Sequence, residues 1–134
     1  DEYLANSNNE KLVILQIESP EGLDQVEKIA AIPGFDGFLF GPGDFSHRIG
    51  KAGQLTAPEV TAARQRVNKA ALAHGKFSVA SGLYVPLETL ASEGVTVFNL
   101  GSDVGGLREY FDARLRTMND GVSKLPKVTT PYDA

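Results

Sequence analysis

Between Leu12 and Asp120 a short apolar run, a Gly- or Ser-rich turn and a longer segment with helical spacing recur four times, which predicts an α/β fold on a parallel sheet. Strands joined in this way require right-handed crossovers, so a small doubly wound sheet and part of a (βα)8 barrel are both open. The first strand favours the barrel. Val13, Leu15 and Ile17 share one face and Ile14, Gln16 and Glu18 the other, because strand side chains alternate. A doubly wound sheet is apolar on both faces. Two polar residues facing the same way at a strand's C-terminal end suit a barrel mouth instead. Four units are also half of eight, so the chain is expected to supply about four βα units of a (βα)8 TIM barrel, whose full length is typically about 250 residues.

Each element has its own signal. The first strand spans Leu12 to Glu18, and Ser19-Pro20 opens its helix as an N-cap followed by proline at the first helical position. Leu23, Val26 and Ala30 continue that helix at near-helical spacing until Pro33-Gly34 ends it. The second strand runs from Phe35 to Gly41 and leads into a long polar loop. The next helix enters through Thr56-Ala57-Pro58-Glu59, read as a capping box, with Val60, Ala63, Val67 and Ala71 as its apolar stripe and His74-Gly75 at its end. A third strand, Phe77 to Ser81, precedes a short helix around Leu87, Leu90 and Ala91, closed by Gly94. A fourth, Val95 to Leu100, precedes a helix carrying Leu107, Phe111, Leu115 and Met118. Phe38, Phe40, Phe98 and Phe111 are expected in the core. Residues 1–11 are read as a lead-in, 12–120 as the barrel segment, and 121–134, with two prolines and little apolar content, as a tail or an arm onto a neighbour.

Composition narrows the function classes. Thirteen Lys or Arg against seventeen Asp or Glu give a net charge of −4, and no basic cluster exceeds a dipeptide, so nucleic acid and anionic membrane surfaces are not expected partners. No apolar run approaches the ~20 residues of a membrane span. With no cysteine there is no disulfide, thiolate metal site or thiol nucleophile, which fits a cytoplasmic protein. The chain opens Asp1-Glu2-Tyr3 and its one methionine is Met118, so it is expected to begin partway through a gene product.

In either architecture a ligand lies at the carboxyl ends of the strands, which singles out Gln16, Glu18, the loop from Gly41 to Gly50, Ser81-Gly82 and Gly101-Ser102. Glu18 is a solvated turn residue, a helix cap or a ligand. Asp44, in Gly41-Pro42-Gly43-Asp44-Phe45-Ser46, is a turn former or a ligand. Carboxylates at the ends of adjacent parallel strands would sit on neighbouring rungs about 5 Å apart. They would repel unless a cation joined them, and an oxygen-only donor set suits Mg²⁺ or Mn²⁺. Gly41 and Gly43 leave the backbone open to an anionic oxygen, or simply form a tight turn. His47 is a base or a surface residue, and His74 a helix C-terminal residue. Gly101-Ser102-Asp103 superficially suggests anion binding, but Asp103 would repel a phosphate. Lys11 and Lys51 are read as solvated charges.

Leu15-Gln16-Ile17-Glu18-Ser19, Ile32-Pro33-Gly34-Phe35-Asp36-Gly37 and Phe40-Gly41-Pro42-Gly43-Asp44-Phe45-Ser46 resemble, in order and separation, the C-terminal half of the HpcH/HpaI family of metal-dependent pyruvate aldolases. The resemblance covers roughly Leu12 to Asp120. It implies that Glu18 and Asp44 are the carboxylate ligands of a divalent cation (Mg²⁺, Mn²⁺ or Co²⁺). It also implies that Gln16 contacts the bound keto acid and that the Gly43 N–H meets its carboxylate, with Asp44 bordering the substrate as well. Family members often carry Ala and Leu where this chain has Gly43 and Phe45, and Phe45 is expected to reshape the pocket.

The resemblance further implies a substrate among pyruvate, oxaloacetate and the 4-hydroxy-2-oxo acids, and a homo-oligomer that exchanges its last helix. The family's catalytic arginine and histidine are expected upstream, so this segment supplies no catalytic residue and needs a companion N-terminal half-barrel. Oxaloacetate decarboxylation or macrophomate-synthase-like chemistry would use the same ligands. A catalytically silent half-barrel scaffold is the reading from another class.

Overall fold

A computed structural model describes residues 1–125. Its elements are α1 (Glu2–Glu10), β1 (Ile14–Ile17), α2 (Pro20–Asp24), α3 (Val26–Ala30), β2 (Gly37–Phe40), α4 (Pro42–Arg48), α5 (Pro58–Ala73), β3 (Phe77–Ser81), α6 (Leu87–Ser92), β4 (Val97–Asn99) and α7 (Asp103–Val122). Two compact units result, residues 1–100 and residues 101–134. Among the described residues no helix is long and apolar enough to cross a membrane.

The four strands form one sheet in chain order, β1-β2-β3-β4, every pair parallel. A doubly wound sheet would reverse its strand order at a switch point. This sheet does not, and the helices packed on it share one face. Ile17, Phe38 and Phe40 are buried with Val26 of α3 and Val60, Ala63, Val67 and Ala71 of α5, the last four being the stripe expected from the sequence. Ala80 continues that face and packs with Leu90 of α6, Val95 and Phe98. Ile14, Gln16, Leu39, Val79 and Val97 alternate with these residues and occupy the other face, as the inner wall of a barrel requires.

Local chemistry sets the boundaries. Ser19 caps α2 as expected, its Oγ accepting the Gly22 N–H at 3.0 Å. The single helix expected from Pro20 onward is two, because Gln25 leaves helical geometry (φ −107°, ψ 3°) and its N–H turns back to the Gly22 carbonyl. The expected capping box is absent. Ala57 is the N-cap of α5, no side chain caps it, and Glu59 pairs with Lys51 at 2.6 Å, so Lys51 is not a merely solvated charge. That lysine, ahead of its own backbone N–H, holds the Glu59 carboxyl below the usual range. His74 closes α5 with Nδ1 at 3.1 Å from the Ala70 carbonyl, and Gly75 follows at φ +67°.

Two helices lie where none was expected. Residues 2–10 of the lead-in form α1, and Pro42–Arg48 of the polar loop form α4. The seven residues of α4 hold together because Pro42 fixes the first φ, Ser46 Oγ donates to the Gly43 carbonyl at 2.8 Å, and Phe45 is buried beside Phe40 with ring centroids 5.3 Å apart. Phe45 is therefore core, which corrects the expectation that it shapes the pocket. Phe111 is 59% exposed, not core, and Leu107, Leu115 and Met118 are more than half exposed, so α7 buries none of its residues. Its last two residues fall in the expected tail, the rest of which from 126 lies outside the described residues.

Asp36 locks the start of β1, its Oδ2 accepting the Val13 N–H at 2.7 Å while its own N–H donates to the Val13 carbonyl at 2.9 Å. One rung on, Gly37 has no room for a side chain. A Cβ there would lie 2.4 Å from the Phe77 ring and 2.6 Å from the Phe77 carbonyl oxygen. The ring could turn, but the carbonyl belongs to the β2–β3 ladder. Gly37→Ala is therefore expected to destabilise the protein by about 2–3 kcal/mol, the upper range for overpacking. An unchanged urea midpoint would show that the sheet gives way more easily than this contact implies.

Candidate active site

Glu18 follows β1 directly. The register pairs Ile17 with Phe40, so the residue opposite Glu18 is Gly41, whose N–H reaches back to the Ile17 carbonyl at 2.9 Å. Gln16, on the same face as Glu18, donates from Nε2 to Glu18 Oε2. This bond orients the carboxylate. A Cβ at residue 41 would lie 2.8 Å from Gln16 Nε2, 2.9 Å from Glu18 Cβ and 3.0 Å from Glu18 Oε2. The glycine therefore lets the Gln16 amide and the Glu18 carboxylate pack onto its backbone, a cradle of one amide and one carboxylate that any side chain at 41 would disrupt.

Asp44 is not on the rung facing Glu18. It stands three residues beyond Gly41, in the first turn of α4, where the helix dipole favours a carboxylate. Gly43 precedes it with nothing within 4 Å of where a Cβ would be, so that backbone is open to an approaching molecule. The N-cap of α4 is Gly41, with no side chain to cap the helix, and Pro42 has no N–H. The Gly43 and Asp44 amides consequently lack intrahelical partners. Among the described residues neither Glu18 nor Asp44 has a cationic partner within 4.0 Å.

Glu18 and Asp44 could offer a hard divalent cation oxygen donors only. Among the described residues no three His, Cys, Asp or Glu are grouped to hold a metal, so an ion held by Glu18 and Asp44 would take oxygens from water or substrate for the rest of its shell. That is the usual condition of Mg²⁺, which keeps several exchangeable positions. Glu18 and Gln16 lie directly against the Gly41 backbone, and the open backbone is at Gly43, where nothing stands within 4 Å of a Cβ position.

The remaining candidates separate from this cluster. His47 and Arg48 are exposed in the last turn of α4, not on a loop, and Arg48 lies close enough to Glu21 to help lower its carboxyl, after that residue's own backbone N–H and Ser19. Within the second unit, Ser102 caps α7 by accepting the Gly105 N–H at 3.1 Å, and Asp103 Oδ1 accepts the Val104 N–H at 2.8 Å. Those first-turn amides are thus engaged within the chain, which removes the suggestion of anion binding there.

The family described as HpcH/HpaI aldolase/citrate lyase matches residues 2–109. The chain belongs to that family. A 5-keto-4-deoxy-D-glucarate aldolase of Escherichia coli (strain K12 / DH10B) is 39% identical over 111 residues, 80% of this chain and 42% of the relative. Among solved structures, citrate synthase SbnG matches at a TM-score of 0.83 and 27% identity over 92% of this chain and 51% of its own. Macrophomate synthase matches at 0.79 and 29%, over 93% and 44% respectively. An HpcH/HpaI aldolase/citrate lyase family protein of Burkholderia cenocepacia J2315 matches at 0.77 and 30%, over 88% and 46%. The chain spans about half the length of the relatives it matches. The sequential parallel sheet, helix-covered on one face, is accordingly half of a (βα)8 barrel.

Proposed function

We propose that this chain forms the metal-binding half of an aldolase that cleaves or forms 4-hydroxy-2-oxo acids through the enolate of pyruvate. The observation that carries this reading is the Gln16–Glu18–Gly41 cradle at the strand ends, beside the uncapped first turn of α4. Glu18 and Asp44 would hold the cation. When bound, the divalent ion supplies Lewis-acid stabilisation of negative charge developing on the keto oxygen. Gln16 fixes the Glu18 carboxylate and offers its amide to the keto acid. The Gly43 and Asp44 N–H groups receive the substrate carboxylate.

Cleavage breaks C3–C4. The electron pair stays on C3, and the C4 hydroxyl proton must pass to a base. Neither His47 nor Arg48 reaches the cradle in any described contact, so base and cationic donor are assigned to a companion N-terminal half-barrel, which also pairs the edge strands β1 and β4. The likeness to macrophomate synthase supports a second reading, oxaloacetate decarboxylation or related enolate chemistry on the same residues. Pyruvate release by the complete barrel from a 4-hydroxy-2-oxo acid and from oxaloacetate, with and without Mg²⁺, separates the two. Release from neither, with no metal-dependent pyruvate binding by calorimetry, would leave a silent scaffold.

The apolar stripe of α7, with Leu107, Phe111, Leu115 and Met118 each more than half exposed, is read as the surface exchanged with a second copy. Sedimentation of the complete enzyme should give an oligomer at micromolar concentration. A monomer would refute the exchange.

A further inference from the structure

A small cavity lies behind the ends of β2 and β3. Phe40 and Pro42 line it where β2 passes into α4, and Ser81 and Tyr84 line it at and beyond the end of β3. Among the described residues, Arg64 of α5 is the one charged residue in its wall. Its volume is about 20 Å³. A water needs roughly 10–15 Å³ of such space, so the cavity admits a single molecule.

Arg64 meets that space with an unused donor. Its Nε and Nη2 donate to the two Glu93 carboxylate oxygens at 2.9 and 2.8 Å. Nη1 stands on the other edge of the planar guanidinium, away from the carboxylate, and among the described residues no group accepts from it. The side chain is only 8% exposed, yet no fully buried side-chain nitrogen there lacks a partner, so Nη1 must open onto space that a water can enter. The cavity that Arg64 lines is such a space.

Pro42, in the same wall, starts α4. Phe45 closes the first turn of that helix by donating its N–H to the Gly41 carbonyl at 3.1 Å, and its ring packs with Val60 and Ala63 of α5. The ring thus ties the middle of α4 to α5, while the start of α4 borders the cavity. Left dry, that cavity would keep a charged donor unpaired at the root of the helix, which costs far more than an apolar void of the same size.

We propose that Arg64 Nη1 holds one internal water in this cavity, and that Arg64 thereby acts as a positioning residue for the first turn of α4, which carries Gly43 and Asp44. A buried ion pair contributes little net stability over apolar residues of similar volume, so what Arg64 and Glu93 secure here is geometry. This inference rests on the aldolase reading only where it concerns a metal. Which groups hold the turn is a separate matter from what the turn binds.

The test compares the complete barrel with its Arg64→Met/Glu93→Leu variant, which removes the donor without leaving a buried charge. Amide exchange is followed at Phe45, whose N–H closes the turn, and at Gly41, whose N–H bonds the Ile17 carbonyl in the β1–β2 ladder. Exchange at Phe45 should quicken by at least about 10-fold relative to Gly41 in the double variant. Gly37→Ala, which weakens the sheet at the far end of β2, should leave that ratio unchanged, so a loosened turn is told apart from general loss of stability. A crystal structure of the parent should show an ordered water within hydrogen-bond distance of Nη1. No water there, or an unchanged exchange ratio in the double variant, overturns the proposal. Mn²⁺ affinity by calorimetry should also fall about 10-fold in the double variant, the lower range for groups that orient a metal ligand. A parent-like affinity overturns the positioning role. A parent that binds no Mn²⁺ overturns the metal reading instead, and the exchange ratio then decides this one.

Discussion

Glu18→Gln in the complete barrel is expected to weaken Mn²⁺ binding by about 100-fold or more and to reduce pyruvate release to background. Even a residue that only orients a metal ligand typically contributes about 10–100-fold to affinity, and a charged ligand must exceed that. Glutamine has the same shape, so the contact with Gly41 survives and the loss is attributable to charge. Gln16→Leu should fall within the lower range, because it removes the amide that orients Glu18 Oε2 while leaving both carboxylates. Gly41→Ala should act by crowding, since its Cβ would lie 2.8 Å from Gln16 Nε2 and 3.0 Å from Glu18 Oε2. Calorimetry with Mn²⁺ checks all three variants. Parent-like affinity in Glu18→Gln would remove Glu18 from the ligand set and with it the proposed chemistry.

The contrast between Glu18 and Asp44 shows what the sequence could and could not convey. Glu18 ends a short apolar strand, and period-two alternation suffices to put it beside Gln16 on the open face. Asp44 follows Gly-Pro-Gly, which reads as a turn, so a rung beside Glu18 was expected. In the structure Pro42 starts a helix instead, and Gly41 takes the rung. Seven residues are too few to display an apolar period, and only the burial of Phe45 reveals what anchors the segment. The helix of residues 2–10 escaped for a different reason: it is largely polar and exposed, with no apolar stripe to detect. The long α5 was legible because four of its buried positions recur at helical spacing. Arg64 and Glu93 carry no such signal. They lie 29 residues apart, and only the folded chain brings them together.

Glu93→Gln is accordingly expected to destabilise the protein by about 3–5 kcal/mol, the range for breaking a buried ion pair from one side. Arg64 of α5 meets Glu93, just past α6, through two hydrogen bonds of 2.9 and 2.8 Å, with the two side chains only 8% and 11% exposed. Asn68 Nδ2 donates to the same carboxylate at 3.0 Å and passes the network to Ser78 of β3, while Gln65 adds a bond at 3.1 Å. Glutamine at 93 can accept on one side only, so the Arg64 charge would remain buried and partly unpaired. The double variant Arg64→Met/Glu93→Leu removes both charges, and it should regain most of the loss if desolvation is the cause. Arg64 foremost, then Gln65 and Asn68, holds the Glu93 carboxyl below its ordinary value of 4.5 against the opposing effect of burial. The sign follows from linkage: a depressed folded-state pKa adds stability that is complete above about 4.5 and is lost as pH falls through the lower folded value. Urea midpoints measured downward from pH 6 should therefore decline more steeply in the parent protein than in Glu93→Gln. Equal declines would mean that Glu93 is not the carboxylate whose protonation loosens α5 from α6 and β3.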